Sequence, residues 1–491
     1  MYIQELQAFP ILVFLFAIFA AGACSYIVYQ CKFAPLASFP GPLAAKLSKI
    51  WRANKLYKGT WHRDIVELHR KYGPIVRIGP NELSVGDPEA FRQIYRVSKP
   101  FSKSACYAAV KGSRPFDLAN ETNEKVHAAQ RRLVARPYSM ESTKRFEPDI
   151  DGLLDTLLHK LDSFAKSSQT VDLGFWVQLY AFDVVGVVSF SKPFGFVSSG
   201  SDNALFERLQ RAMDCFAWVM HAHWFLKLHQ NFIMPIFGNW LAINDRNGYF
   251  FQFSKAEVEK RKGQQRDDIV GQLFQAQAFK GQPSDLEITF MMTTNVFAGS
   301  DTTANAMRAI FLNLLQNPHV MTKLRADLQA RCVGSSNGRV SSAAAESSPY
   351  LQAVIYEGMR IFPSVGIVLD RDVPPEGMMI GGTYVPGGTV VGTSAWVIHR
   401  VQEVWGPDAD KFRPERWLDE ERVGDLRRFF FAFGGGTRTC IGRHISWLEI
   451  EKLIASLVMR YDFELADDAK ITEHCGALVV LKGLRVKITR R

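Results

Sequence analysis

Phe433-Gly434-Gly435-Gly436-Thr437-Arg438-Thr439-Cys440-Ile441-Gly442 is the stretch on which the reading of the fold turns. It fits F-x-x-G-x-R-x-C-x-G, and at this chain's composition those five fixed positions would coincide by chance about once in ten thousand chains. The pattern describes a thiolate offered to a metal from a glycine-permissive loop. Gly436 and Gly442 allow close backbone approach, and backbone N–H groups of such a loop can hydrogen-bond the sulfur. Arg438 is suited to pair with a carboxylate. The helical pattern ISWLEIEKLIASLVMRY follows at once, so Cys440 stands near a helix amino terminus, where the dipole favours the thiolate over the thiol. Taken alone, a free cysteine is more often an inert buried one. The ten-residue frame sets Cys440 apart.

Working outward, Ser284-x-x-Glu287 is a capping box ahead of LEITFMMTTNVFAGSDTTANAMRAIFLNLLQ, a run apolar almost all round and therefore expected to be a buried central helix of about 30 residues. Between Trp61 and Ser98 a helix (HRDIVELHRKYG) alternates with short strand-like runs (IVRIG, ELSVG), and Asn123 to Phe190 and Ser201 to Lys280 carry helical periodicity. Ser335 to Ser348 reads as a low-complexity surface loop. These patterns predict a mainly α protein with small β-sheets.

The chain has 491 residues, 47% hydrophobic, 22% charged and 12% aromatic, which excludes a disordered tail, a collagen and a small disulfide scaffold. Lys plus Arg exceed Asp plus Glu by 59 to 49, a formal charge of +10 that favours acidic partners or an anionic membrane surface. No base-reading module accompanies it, so nucleic acid is the weaker account. Seven cysteines, at 24, 31, 106, 215, 332, 440 and 475, form no C-x-x-C pair and suggest a reducing compartment. Asn120-Glu121-Thr122 then reads as an accidental glycosylation sequon.

Phe9 to Tyr29 runs without a charge, and as a helix it would reach about 31 Å, enough to cross a hydrocarbon core. A cleaved signal peptide is the competing reading, but the leader carries Glu5 and no basic residue. Lys32, Lys46, Lys49 and Arg52 follow the segment, so the positive-inside rule puts the amino terminus in the lumen and the rest in the cytosol. Phe39-Pro40-Gly41-Pro42 cannot continue a helix and reads as a hinge. The expected division is residues 1–8 lumenal, 9–29 transmembrane, 30–45 hinge and 46–491 one large catalytic domain.

From about Phe39 to the carboxy terminus the chain resembles the haem-thiolate cytochrome P-450 monooxygenases, with that family's motifs in order. The resemblance implies the fold, haem as cofactor and Cys440 as its iron ligand, with Phe433, Gly436 and Gly442 of the same loop also among the haem-binding residues. It also makes Ala298-Gly299-Ser300-Asp301-Thr302-Thr303 the family's distal segment. Asp301 and Thr302, on a locally opened helix, would deliver protons through water. Glu357-x-x-Arg360 with Phe412-Arg413-Pro414-Glu415-Arg416-Trp417 matches a structural triad of Glu357, Arg360 and Arg416. His127, Arg131, Arg371 and Arg438 are implied as partners of the haem propionates. Gly358 departs from the pattern at a cost of about 1 kcal/mol in helix propensity, and Trp417 replaces the commoner Phe.

By the same resemblance the substrate is a lipophilic small molecule, contacted from Phe101 to Asn120, Phe216 to Phe237, the central helix and Val365 to Leu369. The aromatic Phe216 to Phe237 region reads either as a lid dipping into membrane lipid or as ordinary core helices. No dinucleotide-binding fingerprint or flavin domain is present in the sequence, so electrons from NADPH would come through a separate reductase, with cytochrome b5 as a further donor. SFPGPLAAKLSKIWR, HRKYGPIVRIGPNELSV and AFDVVGVVSFSKPFGF resemble the pisatin-demethylase-like enzymes of fungal secondary metabolism. That points to hydroxylation, epoxidation or demethylation of a terpenoid, polyketide or alkaloid at the endoplasmic reticulum membrane. A haem-thiolate isomerase or dehydratase using no dioxygen, and a haem sensor or electron carrier, are the alternatives.

Overall fold

The Ser284 hydroxyl accepts from the Glu287 N–H while the Glu287 carboxylate accepts from the Ser284 N–H, so the capping box is closed. From it the central helix runs Asp285–Gln316, 32 residues, or about 48 Å. It is buried on nearly every face, as its composition requires, and packs against the helices Leu173–Phe190, Tyr249–Arg261, Pro349–Ile361 and Arg443–Arg460. The computed structural model describes residues 2–491 apart from 113, 240, 241, 243, 244, 247 and 332–337. Cys332 and the start of the Ser335–Ser348 loop therefore lie outside the described residues.

The remainder is mainly helical with small sheets. Ile75–Gly79 pairs antiparallel with Glu82–Val85, which runs parallel to Val390–Gly392, and Arg371–Asp372 adds on the far side of that strand. A three-stranded sheet joins Val171–Asp172, Arg485–Arg490 and Tyr461–Leu465, and two two-stranded sheets complete the set among the described residues. Side-chain alternation along Asp370 and Arg371 has a consequence for the site. Asp370 turns to the buried Arg52, with which it forms an ion pair at 3.0 Å, and Arg371 turns to the opposite side, into a cavity.

Among the described residues two apolar segments are long enough to cross a membrane, and burial separates them. Leu173–Phe190 is 94% buried and is a core helix, whereas Val13–Phe33 is 6% buried, a candidate membrane anchor that continues the helix Tyr2–Val28 through the π-turn Tyr29–Phe33. The hinge expected over 30–45 is instead packed. Leu36 and Phe39 are buried, and the buried Arg77 donates to the carbonyls of Gln30 and Pro80 at 2.8 and 2.7 Å and to the Gln30 side chain at 2.6 Å. A buried guanidinium needs acceptors on all sides, and Gln30 and Leu36 supply some of them from the end of the candidate anchor and just beyond it. The Ser335–Ser348 stretch also departs from a plain surface loop, because Val340 is fully buried and Ser342–Glu346 forms a helical turn.

Gly358, in the helix Pro349–Ile361, has a packing reason that sequence could not give. A Cβ there would lie 2.4 Å from Ile310 Cγ1 of the central helix, so glycine is what lets the two helices approach.

Candidate active site

The Cys440 loop is closed by its own backbone: Cys440 N–H donates to the Phe433 carbonyl at 2.8 Å and Gly434 N–H to the Phe431 carbonyl at 3.0 Å. Gly436 has φ +63°, and a Cβ would lie 2.5 Å from the Tyr95 carbonyl oxygen. Its close approach is thus to the chain beneath the loop. Gly442 caps the helix Arg443–Arg460. Burial pushes the Cys440 thiol up, while the N–H groups of Gly442 and Arg443 and the charges of Arg131 and Arg443 act to favour the thiolate. The exposed surface of Cys440 opens onto two cavities, of about 220 and 280 Å³, that also share Thr302, Lys103, Arg438 and Ser446.

Around these cavities the structure gathers cations. Arg438 donates from Nε and Nη2 to Glu124 at 3.0 and 2.5 Å, and its Nη1 is buried without a partner. Arg131 reaches the Thr439 carbonyl at 2.8 Å and Arg371 the Asp370 carbonyl at 2.9 Å. His127 is buried beside them, its pKa pushed down to about 3 by burial and then by Arg438 and Arg131. It is a neutral imidazole, fit to donate a hydrogen bond but not a charge.

Sequence reasoning missed Lys103. Ser102 to Ser104 bonds along the edge formed by Asp370–Asp372, and a β-bridge sets Lys103 opposite Arg371. Burial, then Arg371 and Arg438, lower its pKa to about 7. No local pattern in KPFSKSACY marks that lysine. The fold alone brings it to the other cations.

On the opposite side of the loop the Glu357 carboxylate receives five donors. Arg360 contributes Nε and Nη2, both at 2.8 Å, Arg416 Nε lies at 3.0 Å, Arg413 N–H at 2.8 Å and Trp417 Nε1 at 2.9 Å. Burial raises the Glu357 pKa, but Arg360 and Arg416 more than offset it and the net shift is downward. Trp417 therefore supplies a donor that phenylalanine lacks.

Asp301 and Thr302 are not brought together. Consecutive helical residues point about 100° apart, and only Thr302 lines the Cys440 cavities. Asp301 is buried on another face, where Gln178 Nε2 donates to it at 2.6 Å and Gln178 Oε1 in turn accepts from Arg308. Burial raises the Asp301 pKa to about 6, with Arg308 and Gln178 opposing. Asp301, Gln178, Arg308 and Lys482 line a separate cavity of about 310 Å³. The locally opened helix expected here is instead continuous, and Thr302 Oγ1 bonds back to the Ala298 carbonyl at 2.9 Å. Thr303 meets Ser446 across the helix interface at 2.9 Å, a contact 143 residues long in sequence that no motif announces.

A cavity of about 680 Å³, larger than those around Cys440, does not include that residue. It is a groove beside the loop, lined by Arg92, Lys144, Arg427, Arg428 and Arg443 together with Glu346 and Glu451, so that its charge is mainly basic. In the Phe216 to Phe237 region Trp218 packs on the core, whereas Trp224, Phe232, Ile236 and Phe237 are exposed.

The family model for cytochrome P450 matches residues 39–490. The chain belongs to the cytochrome P-450 family. A cytochrome P-450 monooxygenase of Aspergillus oryzae, hepC, is 53% identical over 91% of both chains. A cytochrome P-450 monooxygenase of Aspergillus terreus is 35% identical over 87% of this chain and 90% of its own, and a pisatin demethylase of Fusarium vanettenii 34% identical over 90% and 86%. As a cytochrome P-450 monooxygenase the protein takes a thiolate-ligated haem, and the residues present fit one. Cys440 lines two cavities, one with Lys103, Arg371 and Arg438 on its wall and the other with Lys103, Arg131 and Arg438, and Arg438 keeps a buried donor with nothing to bond. A group carrying two carboxylates answers both features.

Proposed function

We propose that this cytochrome P-450 inserts one atom of dioxygen into a lipophilic small molecule of fungal secondary metabolism, a terpenoid, polyketide or alkaloid, by hydroxylation, epoxidation or demethylation. The single observation that carries the reading is that Cys440 and Thr302 line the same cavities beside Lys103 and the partly unpaired Arg438. When bound, haem supplies dioxygen activation, to which thiolate ligation contributes electron density. Cys440 holds the iron, Arg131, Arg371, Arg438 and Lys103 balance the propionates, and His127 donates to them. Thr302 Oγ1 holds a proton over the cavity and passes it on when its bond to Ala298 opens. Asp301, with a pKa near pH 6, takes up protons on the other face of the helix beside Gln178 and Arg308. Such groups contribute about 10²- to 10⁴-fold.

Two electrons come from NADPH through a separate reductase, with cytochrome b5 as a second donor. The basic wall of the groove beside the loop suits an acidic partner close to Cys440, and raised salt should slow turnover. The candidate anchor is read as a single span of the endoplasmic reticulum membrane, amino terminus lumenal and catalytic domain cytosolic, from the basic residues that follow it. The exposed Trp224, Phe232, Ile236 and Phe237 fit a second contact with lipid, through which substrate enters.

The test is product formation with labelled dioxygen. Label in product, dependent on NADPH and reductase, supports the reading. Product without label indicates an isomerase or dehydratase, and reduction without product an electron carrier. Thr302→Ala should leave NADPH oxidation running while product per NADPH falls at least tenfold.

A further inference from the structure

Arg246 is 8% exposed, and its Nε has no hydrogen-bond partner. Its Nη2 donates to Asp117 Oδ1 at 3.2 Å and to Thr294 Oγ1 at 3.3 Å, and its guanidinium lies over the Phe297 ring at 5.6 Å. Asp117 cannot neutralise it. That carboxylate also pairs with Arg114 at 2.6 Å and accepts from the backbone of Ala119 and Asn120, both at 3.1 Å, and from Asn120 Nδ2 at 3.0 Å. The neighbouring acids are engaged elsewhere, Glu121 with Lys111 at 2.5 Å and Asp245 with Arg208 at 2.6 Å. Two buried guanidinium groups thus share one saturated carboxylate, and a full positive charge with a spare donor remains. A buried surplus charge is costly unless a counter-charge joins it.

The surplus sits behind the cavity wall. Leu118 and Ala119, directly after Asp117, and Thr294, which Arg246 touches, line the same cavity of about 280 Å³ as Cys440 and Thr302.

We infer that the surplus charge of Arg246 and Arg114, one residue behind Leu118, Ala119 and Thr294, attracts a carboxylate on the lipophilic substrate to that wall and so holds the apolar body of the molecule toward Cys440. The inference rests on the monooxygenase reading above and narrows its substrate to a lipophilic acid. Arg246 itself does not line that cavity, so the attraction acts through the wall, where the low dielectric of the interior keeps it strong.

The test uses the holoenzyme and two probes that differ in charge, decanoate and methyl decanoate, each titrated by its Soret shift. Wild type should bind decanoate at least about tenfold more tightly than the ester. Arg246→Gln should bring the two affinities together, with ester binding and the carbon monoxide band of the thiolate haem unchanged. Should Arg246→Gln lose that band, Arg246→Met carries the test, since it removes the charge and keeps a buried side chain in place. It should weaken decanoate and leave the ester alone. Equal affinities in wild type, no binding of either probe, or a preference that survives Arg246→Gln overturns the assignment. A wild type with no thiolate-type band at all would instead overturn the haem reading.

Discussion

Arg438 and Glu124 form a fork, Nε at 3.0 Å and Nη2 at 2.5 Å from Oε1, that fixes the guanidinium while Nη1 stays buried and unpaired. The carboxylate positions the charge and leaves one donor free for the haem contact proposed above. A hydrogen bond to a charged group contributes about 1.5–3 kcal/mol, so Arg438→Gln should speed haem loss to excess apomyoglobin by about 10- to 100-fold. Glu124→Gln loosens the fork and keeps the charge, and should cost less than tenfold. Equal rates in wild type and Arg438→Gln would remove Arg438 from the haem site.

Gly358→Ala has opposite signs on two accounts. Helix propensity alone makes it stabilising by about 1 kcal/mol. Contact at 2.4 Å with Ile310 Cγ1 makes it destabilising by about 1–3 kcal/mol. Urea unfolding should give the second sign, and Ile310→Ala in the same chain should make the added methyl less costly.

Asp301 gives a pH signature. Its pKa is raised from 3.8 to about 6, chiefly by burial, so between those values the folded state holds more protons than the unfolded. Stability should therefore fall as pH rises through that window. The difference in urea midpoint between wild type and Asp301→Asn should shift steadily against wild type from about pH 4 to about pH 6 and level off above. A difference independent of pH would contradict the buried placement.

Arg77 ties the end of the candidate anchor and the segment after it to the rest of the chain through Gln30 and Leu36. Arg77→Gln leaves several buried acceptors short of donors, each at about 1–3 kcal/mol. Limited proteolysis between residues 30 and 45 should quicken at least about tenfold, with the thiolate haem band retained. Unchanged cleavage would restore the hinge.

What the sequence could tell follows from how far each interaction reaches. The thiolate loop lies within ten residues and the capping box within four, so both can be read along the chain. Glu357, Arg360 and Arg416 are separable from other Glu-x-x-Arg pairs only by their order relative to Cys440. Lys103, Gln178 and Ser446 were illegible, because their partners Arg371, Asp301 and Thr303 lie far off in sequence and meet them through sheet pairing or helix packing. Asp301 and Thr302 mislead in the other direction. Adjacency in sequence suggests a pair, and helix geometry turns them to different faces.

The carbon monoxide difference spectrum of reduced membranes, wild type beside Cys440→Ser, tests the central claim most directly. Wild type should give the thiolate-type Soret band, and Cys440→Ser should lose it while the chain is still present in the membrane. Absence of that band in wild type, or its survival in Cys440→Ser, would contradict Cys440 as the haem ligand.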